Sequence, residues 1–175
     1  ANLNYTPGLT VPNMVIVKLG DGGKVSMFNY AGSTDIVVDV MGWFPDTNSF
    51  EGMTPVRLMD TRAGYPTIDG QFSGTGALAA GETRDVVVVG RSGVPATGVG
   101  AVVLNVTVTN PTESSFLTMW PAGTGRPLAA NLNFVPGQTV PNMVIARLGP
   151  DGAAQIYNNT GTVDLVADVM GYFTS

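Results

Sequence analysis

The chain has 175 residues, no cysteine, no histidine and a net charge of −5. The missing residue types exclude disulfide bonds, thiol chemistry and every nucleophile arrangement that relies on histidine. The acidic balance excludes the concentrated basic face that nucleic acids and anionic lipids require, and no apolar run reaches the roughly 18 residues that span a bilayer. We therefore expect no nucleic-acid partner and no membrane insertion.

The first 46 residues return 129 positions later as the last 46. Segments 1–46 and 130–175 have the same amino acid at 25 of the 46 aligned positions, without a gap. A fixed period of this kind is typical of a tandem array of domains. The sequence thus predicts the C-terminal part of one repeat at 1–46 and one complete repeat at 55–175. Because roughly 46 residues of short strands cannot enclose a core, we expect the missing strands to lie upstream in a longer repetitive protein.

Residues 47–54 are polar and rich in turn formers, so they are predicted to be a linker. A linker this short holds neighbouring domains close together and favours an extended rod. Trp43 and its counterpart Tyr172 lie next to the domain end, on the predicted non-core face of their strands. We expect them to make contacts between repeats, with Trp43 buried against the following unit near Pro55 or Tyr65.

The complete repeat shows short apolar runs separated by Gly- and Pro-rich turns, and no helical period. Seven or eight strands at this spacing predict an all-β fold, an antiparallel β-sandwich of either the jelly-roll or the immunoglobulin-like type. The predicted strands are Thr54–Leu58, Arg84–Val89, Ala101–Asn110, Ser115–Trp120, Ala130–Val135, Asn142–Leu148, Ala154–Asn158 and Val163–Phe173.

Two of these strands carry a specific expectation about burial. The uninterrupted run Val86–Val89 predicts a strand that is buried on both faces. Ala101–Asn110 alternates between apolar and polar side chains, which predicts a half-buried strand. Its Asn105 and Thr107 would then lie on the solvent side.

The last strand carries two carboxylates on one face. Asp164 and Asp168 share that face with Tyr172, whereas Gly171 and Phe173 are assigned to the core face, and Asp35 and Asp39 show the same division in the partial copy. A carboxylate among apolar side chains needs a charged or hydrogen-bonded partner. We expect an Asp–Arg lock, for which the candidate arginines are Arg57, Arg62, Arg126 and Arg147. The alternative is a Ca²⁺ or Mg²⁺ site formed by Asp164, Asp168 and backbone carbonyls.

The triplet Asp60-Thr61-Arg62 is a second candidate site at the end of the first strand. Its short polar side chains beside an arginine can satisfy local backbone groups, so we assign Asp60 and Arg62 to the same structural lock. The alternative is a polar contact for sugar, in which Asp60 accepts and Arg62 donates hydrogen bonds.

The motifs of the complete repeat resemble a domain of large secreted and cell-wall proteins of actinobacteria. The resemblance covers Thr54–Phe173 and, in the partial copy, Ala1–Phe44. It implies tandem extracellular β-domains without an assigned activity, and it is carried by PVRLMDTR at Pro55–Arg62, GVPATGVGAVVLNVTVTNPT at Gly93–Thr112, FLTMWPAG and RPLAANLNF within Phe116–Phe134, TVPNMV at Thr139–Val144 and DLVADVMGYF at Asp164–Phe173.

We expect a non-enzymatic protein that is secreted or exposed at the cell surface and serves as a stalk, spacer or filament body. Asp164 and Asp168 lie four strand residues apart, about 13 Å, which is beyond the roughly 5–9.5 Å of glycosidase carboxylates. No cofactor is expected apart from the Ca²⁺ alternative. The expected partners are neighbouring repeats or identical chains. The alternative function is an adhesive module that binds carbohydrate or a surface, such as cell-wall glycan.

Overall fold

The computed structural model describes residues 1–9, 11, 13–38, 40, 43–44 and 49–175. Within these ranges it contains eight strands and no helix, which confirms the all-β prediction. The strands are β1 (Phe50–Asp60), β2 (Thr83–Val87), β3 (Val99–Thr109), β4 (Ser115–Pro121), β5 (Leu132–Phe134), β6 (Val140–Arg147), β7 (Ala153–Asn158) and β8 (Asp164–Thr174). None of the described residues belongs to a helix that is long and apolar enough to cross a membrane.

The strands form two four-stranded antiparallel sheets, an arrangement consistent with a β-sandwich. The first sheet has the order β1-β8-β3-β6 and the second β2-β7-β4-β5. One cluster of buried apolar side chains draws on both sheets, with Leu104 and Val169 from the first and Leu117 and Ile156 from the second. Burial of these aliphatic side chains supplies the main stabilising free energy of the unit.

The pairing of strands follows a rule across the two halves of the unit. Within residues 49–175, each of the six ladders joins one of strands β1–β4 to one of strands β5–β8. A strand of either half therefore finds its backbone partners in the other half. Since unpaired strand edges leave N–H and C=O groups without partners, neither half can complete a sheet alone.

Because of a β-bulge at Met170, the side chains at the end of β8 point to the opposite faces of the first sheet from those predicted. Val103 pairs with Gly171 and Leu104 with Val169, so Met170 is an extra residue on β8. The side chains beyond it change sides. The strict alternation predicted for this strand is therefore wrong at its end: Tyr172 packs against the core cluster. Phe173 lies instead beside Phe50, with ring centroids 5.0 Å apart.

Burial of β2 and β3 also differs from the prediction. β2 is an edge strand, and Val87 is 39% exposed although Val86 is buried. The prediction of a strand buried on both faces is therefore wrong for β2. β3 lies between β8 and β6, and its Asn105 and Thr107 are buried like their apolar neighbours. The half-buried strand predicted there is buried on both faces instead.

β1 begins inside the segment that was predicted as a linker. Its Phe50 and Glu51 pair with Phe173 and Tyr172 of β8, so part of 47–54 belongs to the first sheet. The pairing lengthens the unit at its N-terminal side relative to the predicted start at residue 55. Thr47 and Asn48 of the predicted linker lie outside the described residues.

The described part of 1–44 contains no strand, and many of its apolar side chains are exposed. Asp35 is exposed as well, whereas Asp39, which the sequence places on the same face, lies outside the described residues. The predicted boundaries of the partial repeat at 1–46 remain a prediction.

Candidate functional site: an arginine–carboxylate network on the first sheet

Arg57 on β1 and Asp168 on β8 are direct neighbours across the antiparallel ladder. They project away from the core, since Asp168 also faces Asn105, which alternates with the core residues Leu104 and Val106 of β3. Arg57 Nε donates to Asp168 Oδ1 over 2.5 Å. The register of β1 and β8 thus places an arginine beside the carboxylate that the sequence left without a defined partner.

Asp60, at the end of β1, receives two arginines. Its carboxylate is fully buried and accepts from Arg57 Nη1 at 2.7 Å, from Arg62 Nε at 2.9 Å and from Arg62 Nη2 at 2.7 Å. The backbone N–H of Arg62 adds a bond of 3.2 Å. We call Arg57, Asp60, Arg62 and Asp168 the Arg57 network. Two guanidinium groups and two carboxylates make it neutral overall.

The Arg57 network also fixes the ionisation state of its members. Burial of the Asp60 carboxyl would raise its pKa, but the hydrogen bonds from Arg62 and the positive charges of Arg62 and Arg57 outweigh burial and hold the pKa below its usual value. The hydrogen bonds that Arg62 donates to Asp60 in turn raise the pKa of Arg62. Both groups therefore stay charged near neutral pH, which suits a permanent ion pair.

Asp164 lies apart from this network. Its carboxylate accepts from Thr61 Oγ1 at 2.8 Å and from Asn110 Nδ2 at 3.0 Å. The Thr61 hydroxyl also accepts the backbone N–H of Leu165 at 2.9 Å, so Thr61 ties the end of β1 to the start of β8. Asp164 is thus held by neutral donors, and the lock predicted around both carboxylates has an arginine only at Asp168.

The four candidate arginines occupy different places. Arg57 and Arg62 belong to the Arg57 network, and the guanidinium of Arg62 also stacks on Tyr65 at 3.9 Å from the ring centroid. Arg126 stacks on Tyr157 at 3.9 Å, whereas Arg147 is exposed on β6.

The alternative, a cation site, would lie at the same residues, Asp164 and Asp168. Among the described residues, no group of three or more Asp, Glu, His or Cys side chains is placed to hold a metal ion. Arg57 donates to both carboxylate oxygens of Asp168, and Asp164 has its own donors. A cation at this pair would have to displace those donors.

A small groove opens beside the Arg57 network. Its volume is about 130 Å³ and its lining is mainly polar, formed by Ala1, Asn4, Arg57, Arg62, Thr107, Thr109, Thr139, Val166 and Asp168. Two of these residues come from the first copy of the repeat. The groove therefore lies where the first copy meets the complete unit.

Asn105 makes the most direct contact across this boundary. Its side chain is 2% exposed, and its Nδ2 donates to the backbone carbonyl of Ala1 at 2.8 Å. Its Oδ1 accepts from Asn13 Nδ2 at 3.5 Å. A polar residue in the middle of an apolar strand was a signal for such a partner in the sequence, but the position of the partner could not be read from it.

The aromatic residues predicted between repeats are arranged differently from the expectation. Trp43 is 79% exposed, so the expected burial against the following unit is not met. Its neighbour Phe44 packs on Phe50 instead, with ring centroids 4.8 Å apart. Tyr172 turns towards the core of its own unit because of the Met170 bulge.

Arg91 is a buried arginine that sequence reasoning missed. It is 5% exposed, pairs with Asp69 through Nε at 2.8 Å, and donates to the carbonyls of Val87 at 2.7 Å and Leu58 at 3.0 Å. Its guanidinium also lies over Phe72. Arg91 therefore fastens the loop after β1 to the ends of β1 and β2, and an arginine in a turn after a valine run gave no sign of this role.

No protein-family model matches the chain. No curated protein matches it at a significant level either.

Proposed function

We propose that this chain is part of a structural, non-enzymatic tandem-repeat protein, secreted or exposed at a cell surface, in which successive β-sandwich units dock into a stalk, spacer or filament body. Its partners are neighbouring repeats of the same polypeptide or identical chains. The gapless internal repeat, the low proportion of charged residues and the lack of cysteine support this role, as does the resemblance to secreted actinobacterial repeats.

The observation that carries the proposal is that residues of the preceding copy form hydrogen bonds with the buried side-chain amide of Asn105. A buried amide without partners is unfavourable by roughly 1–3 kcal/mol, so its bonds to Ala1 and Asn13 favour a defined contact between copies over free rotation. Phe44 supports the same reading, because it packs on Phe50 and Phe173 close to the point where the two copies join.

The strand order supports a jelly-roll sandwich in the complete unit. The orders β1-β8-β3-β6 and β2-β7-β4-β5 interleave strands from the two ends of the chain, as the double Greek key of a jelly roll requires. An immunoglobulin-like sandwich would distribute its strands differently between the sheets.

The alternative, a module that binds carbohydrate, has less support. In residues 49–175, Tyr65 is the single exposed aromatic residue, and Arg62 already stacks on its ring. Trp120 is buried, and its indole N–H donates to the carbonyl of Thr124 at 3.0 Å. Sugar-binding surfaces usually present exposed aromatic faces on which the rings of the ligand can stack.

Small-angle scattering of a longer chain tests the proposal. In this extended chain, a second copy of residues 49–129 is joined in front of Ala1, so that two complete units follow each other. We expect a single elongated shape of fixed length. Asn105→Ala should widen the range of inter-unit angles, whereas the control variant Leu128→Ala, at a fully exposed position, should not. A broad ensemble of inter-unit angles in the unsubstituted chain would contradict docking. Retention on insoluble glycan, abolished by Tyr65→Ala, would favour the alternative.

A further inference from the structure

The first copy of the repeat keeps the local hydrogen bonds of the second. Asn29 Nδ2 donates to the carbonyl of Gly32 at 3.0 Å, and its counterpart Asn158 donates to Gly161 at 3.0 Å. Three further hydrogen bonds of the first copy also have a counterpart in the second. Gly20 N donates to Lys24 O at 2.9 Å, as Gly149 N does to Ala153 O at 2.8 Å, and Leu9 N donates to Thr6 O at 3.2 Å, as Gln138 N does to Val135 O at 3.2 Å. The side-chain amide of Asn13 donates to Asn2 O at 2.5 Å, as that of Asn142 does to Asn131 O at 2.6 Å. The described residues of 1–44 thus keep local hydrogen bonds of a β5–β8 half, including those of its turns.

The two copies differ in the burial of their apolar side chains. Positions that form the core in the second copy are exposed in the first. Met27, Ile36 and Val40 are 64%, 57% and 86% exposed, whereas their counterparts Ile156, Leu165 and Val169 are 2%, 0% and 0% exposed. The first copy therefore presents the core face of a half-sandwich. Exposed aliphatic surface on this scale usually marks a surface that is covered by a partner.

The pairing rule of the complete unit defines which partner would cover it. Strands β5–β8 take all their ladders from β1–β4, so residues 1–44 cannot pair among themselves in this fold. The β1–β4 segment of this chain is already paired with its own β5–β8. The missing partner must therefore be a further segment of the same kind.

We propose that residues 1–44 form a docking surface for a four-stranded segment equivalent to Phe50–Pro121, and that binding completes them into a second sandwich. The segment would add equivalents of β1 and β3 on either side of the residues that correspond to β8, and equivalents of β2 and β4 on either side of those that correspond to β7. It would cover Met27, Ile36 and Val40. This complementation does not depend on the rod proposed above, because it concerns the completion of one unit rather than the contact between two.

The hydrogen-bond partners that Asn29 would gain offer a second argument that the incoming segment is of the β1–β4 kind. In the complete unit, Asn158 is fully buried and donates to the carbonyls of Leu78 and Ala79, while it accepts from the Ser115 hydroxyl at 3.0 Å. All three partners belong to the β1–β4 half. The incoming segment would bring their equivalents to Asn29, which in the present chain bonds to Gly32 and Tyr5.

Amide hydrogen exchange of the extended chain tests the inference. In the 175-residue chain the amides of 14–18, 24–29 and 34–38 should exchange rapidly. In the extended chain they should slow by about a thousandfold, to the level of their counterparts in β6, β7 and β8, because core strands open only with free energies of several kcal/mol. Titration of the 175-residue chain with a separate polypeptide of residues 49–129 should protect the same amides at one-to-one stoichiometry.

Substitutions in the first copy separate complementation from general effects. Met27→Asp and Ile36→Asp should abolish the protection, since each would bury a carboxylate in the new core. Both side chains are exposed in the 175-residue chain, so its complete unit should be unaffected. Leu9→Asp is the control, because Leu9 and its counterpart Gln138 are both exposed.

Fast exchange of residues 14–38 in the extended chain would overturn the inference, and so would protection that survives Ile36→Asp. Protected amides together with a broad range of inter-unit angles would contradict the rod and leave the complementation intact. The two proposals can therefore fail separately.

Discussion

Asp60 and Asp168, on neighbouring strands of the first sheet, are held by the same guanidinium group, that of Arg57. Their environments differ, since the Asp60 side chain is fully buried and that of Asp168 is 12% exposed. Asp60 has a second arginine and Asp168 does not. The two carboxylates are therefore expected to contribute unequally to stability.

Removing either carboxylate should lower the free energy of unfolding by different amounts. We expect Asp60→Ala to reduce it by about 3 kcal/mol, because two arginines lose a buried partner, and Asp168→Ala by roughly 1–2 kcal/mol, because Arg57 stays partly hydrated and bonded to Asp60. Urea denaturation measures both, with exposed Glu113→Ala as the control. The midpoint should be the same with and without EDTA; a decrease on chelation would instead support the cation site at Asp164 and Asp168.

Acid should destabilise the unit through its depressed carboxyl groups. The Arg91 hydrogen bonds lower the pKa of Asp69 to about 2, and the pKa of Asp60 is lowered as well. A group whose folded pKa lies below the unfolded value of about 3.9 binds fewer protons when folded, so its contribution is complete above that value and is lost as the pH falls towards 2. Unfolding free energies should decrease between about pH 4.5 and 2. Asp69→Asn should flatten this decrease, and an unchanged pH profile for this variant would contradict the contribution of Asp69.

Arg91 should be among the most sensitive positions of the unit. Arg91→Ala removes the charged partner of Asp69 and the side chain that bonds to Leu58 and Val87, so we expect a loss of about 3 kcal/mol. Arg91→Lys should restore only part of it, because an ammonium group cannot reproduce the planar set of donors. A double-mutant cycle with Asp69→Ala measures the pair, and a coupling energy near zero would contradict the assigned contact.

A pair of glycine substitutions tests the packing beside the Met170 bulge. A Cβ atom on Gly171 would lie 2.6 Å from the carbonyl oxygen of Glu51 and 2.7 Å from the Phe50 ring, whereas one on Gly125 meets no atom within 4 Å. Gly171→Ala should therefore lower stability by about 1–3 kcal/mol, and Gly125→Ala should change it by less than about 0.5 kcal/mol. Equal thermal midpoints for the two variants would show that Phe50 does not lie over Gly171.

Separating the two copies should leave one folded and one unfolded fragment. Residues 49–175 contain all six ladders and should unfold cooperatively on their own, whereas a peptide of residues 1–46 should show no stable structure. Proton–nitrogen NMR spectra distinguish the cases. A well-dispersed spectrum for the short peptide would contradict the view that 1–46 is an incomplete half.

The alternation of apolar residues predicted the strands well and their surroundings poorly. β3 and β8 were recognisable because their apolar residues recur at every second position. Alternation assumes an unbroken strand, however, and the Met170 bulge moves Tyr172 to the core. Likewise, a run of valines does not reveal that β2 lies at a sheet edge. The sequence marked Asp168 and Arg57 as candidates for a pair, but their contact depends on the register of two strands far apart in the chain.

The division of every ladder between the two halves has a consequence for biosynthesis. As the polypeptide leaves the ribosome, the β1–β4 half of a unit must wait without sheet partners until the later half has been synthesised, which makes folding slow and dependent on distant contacts. In the proposed array, a β1–β4 half that is still unpaired would meet two similar candidates, the half that precedes it and the half that follows. The differences between Ala1–Phe44 and Ala130–Phe173 would then help each half to select its own partner and limit exchange between neighbours.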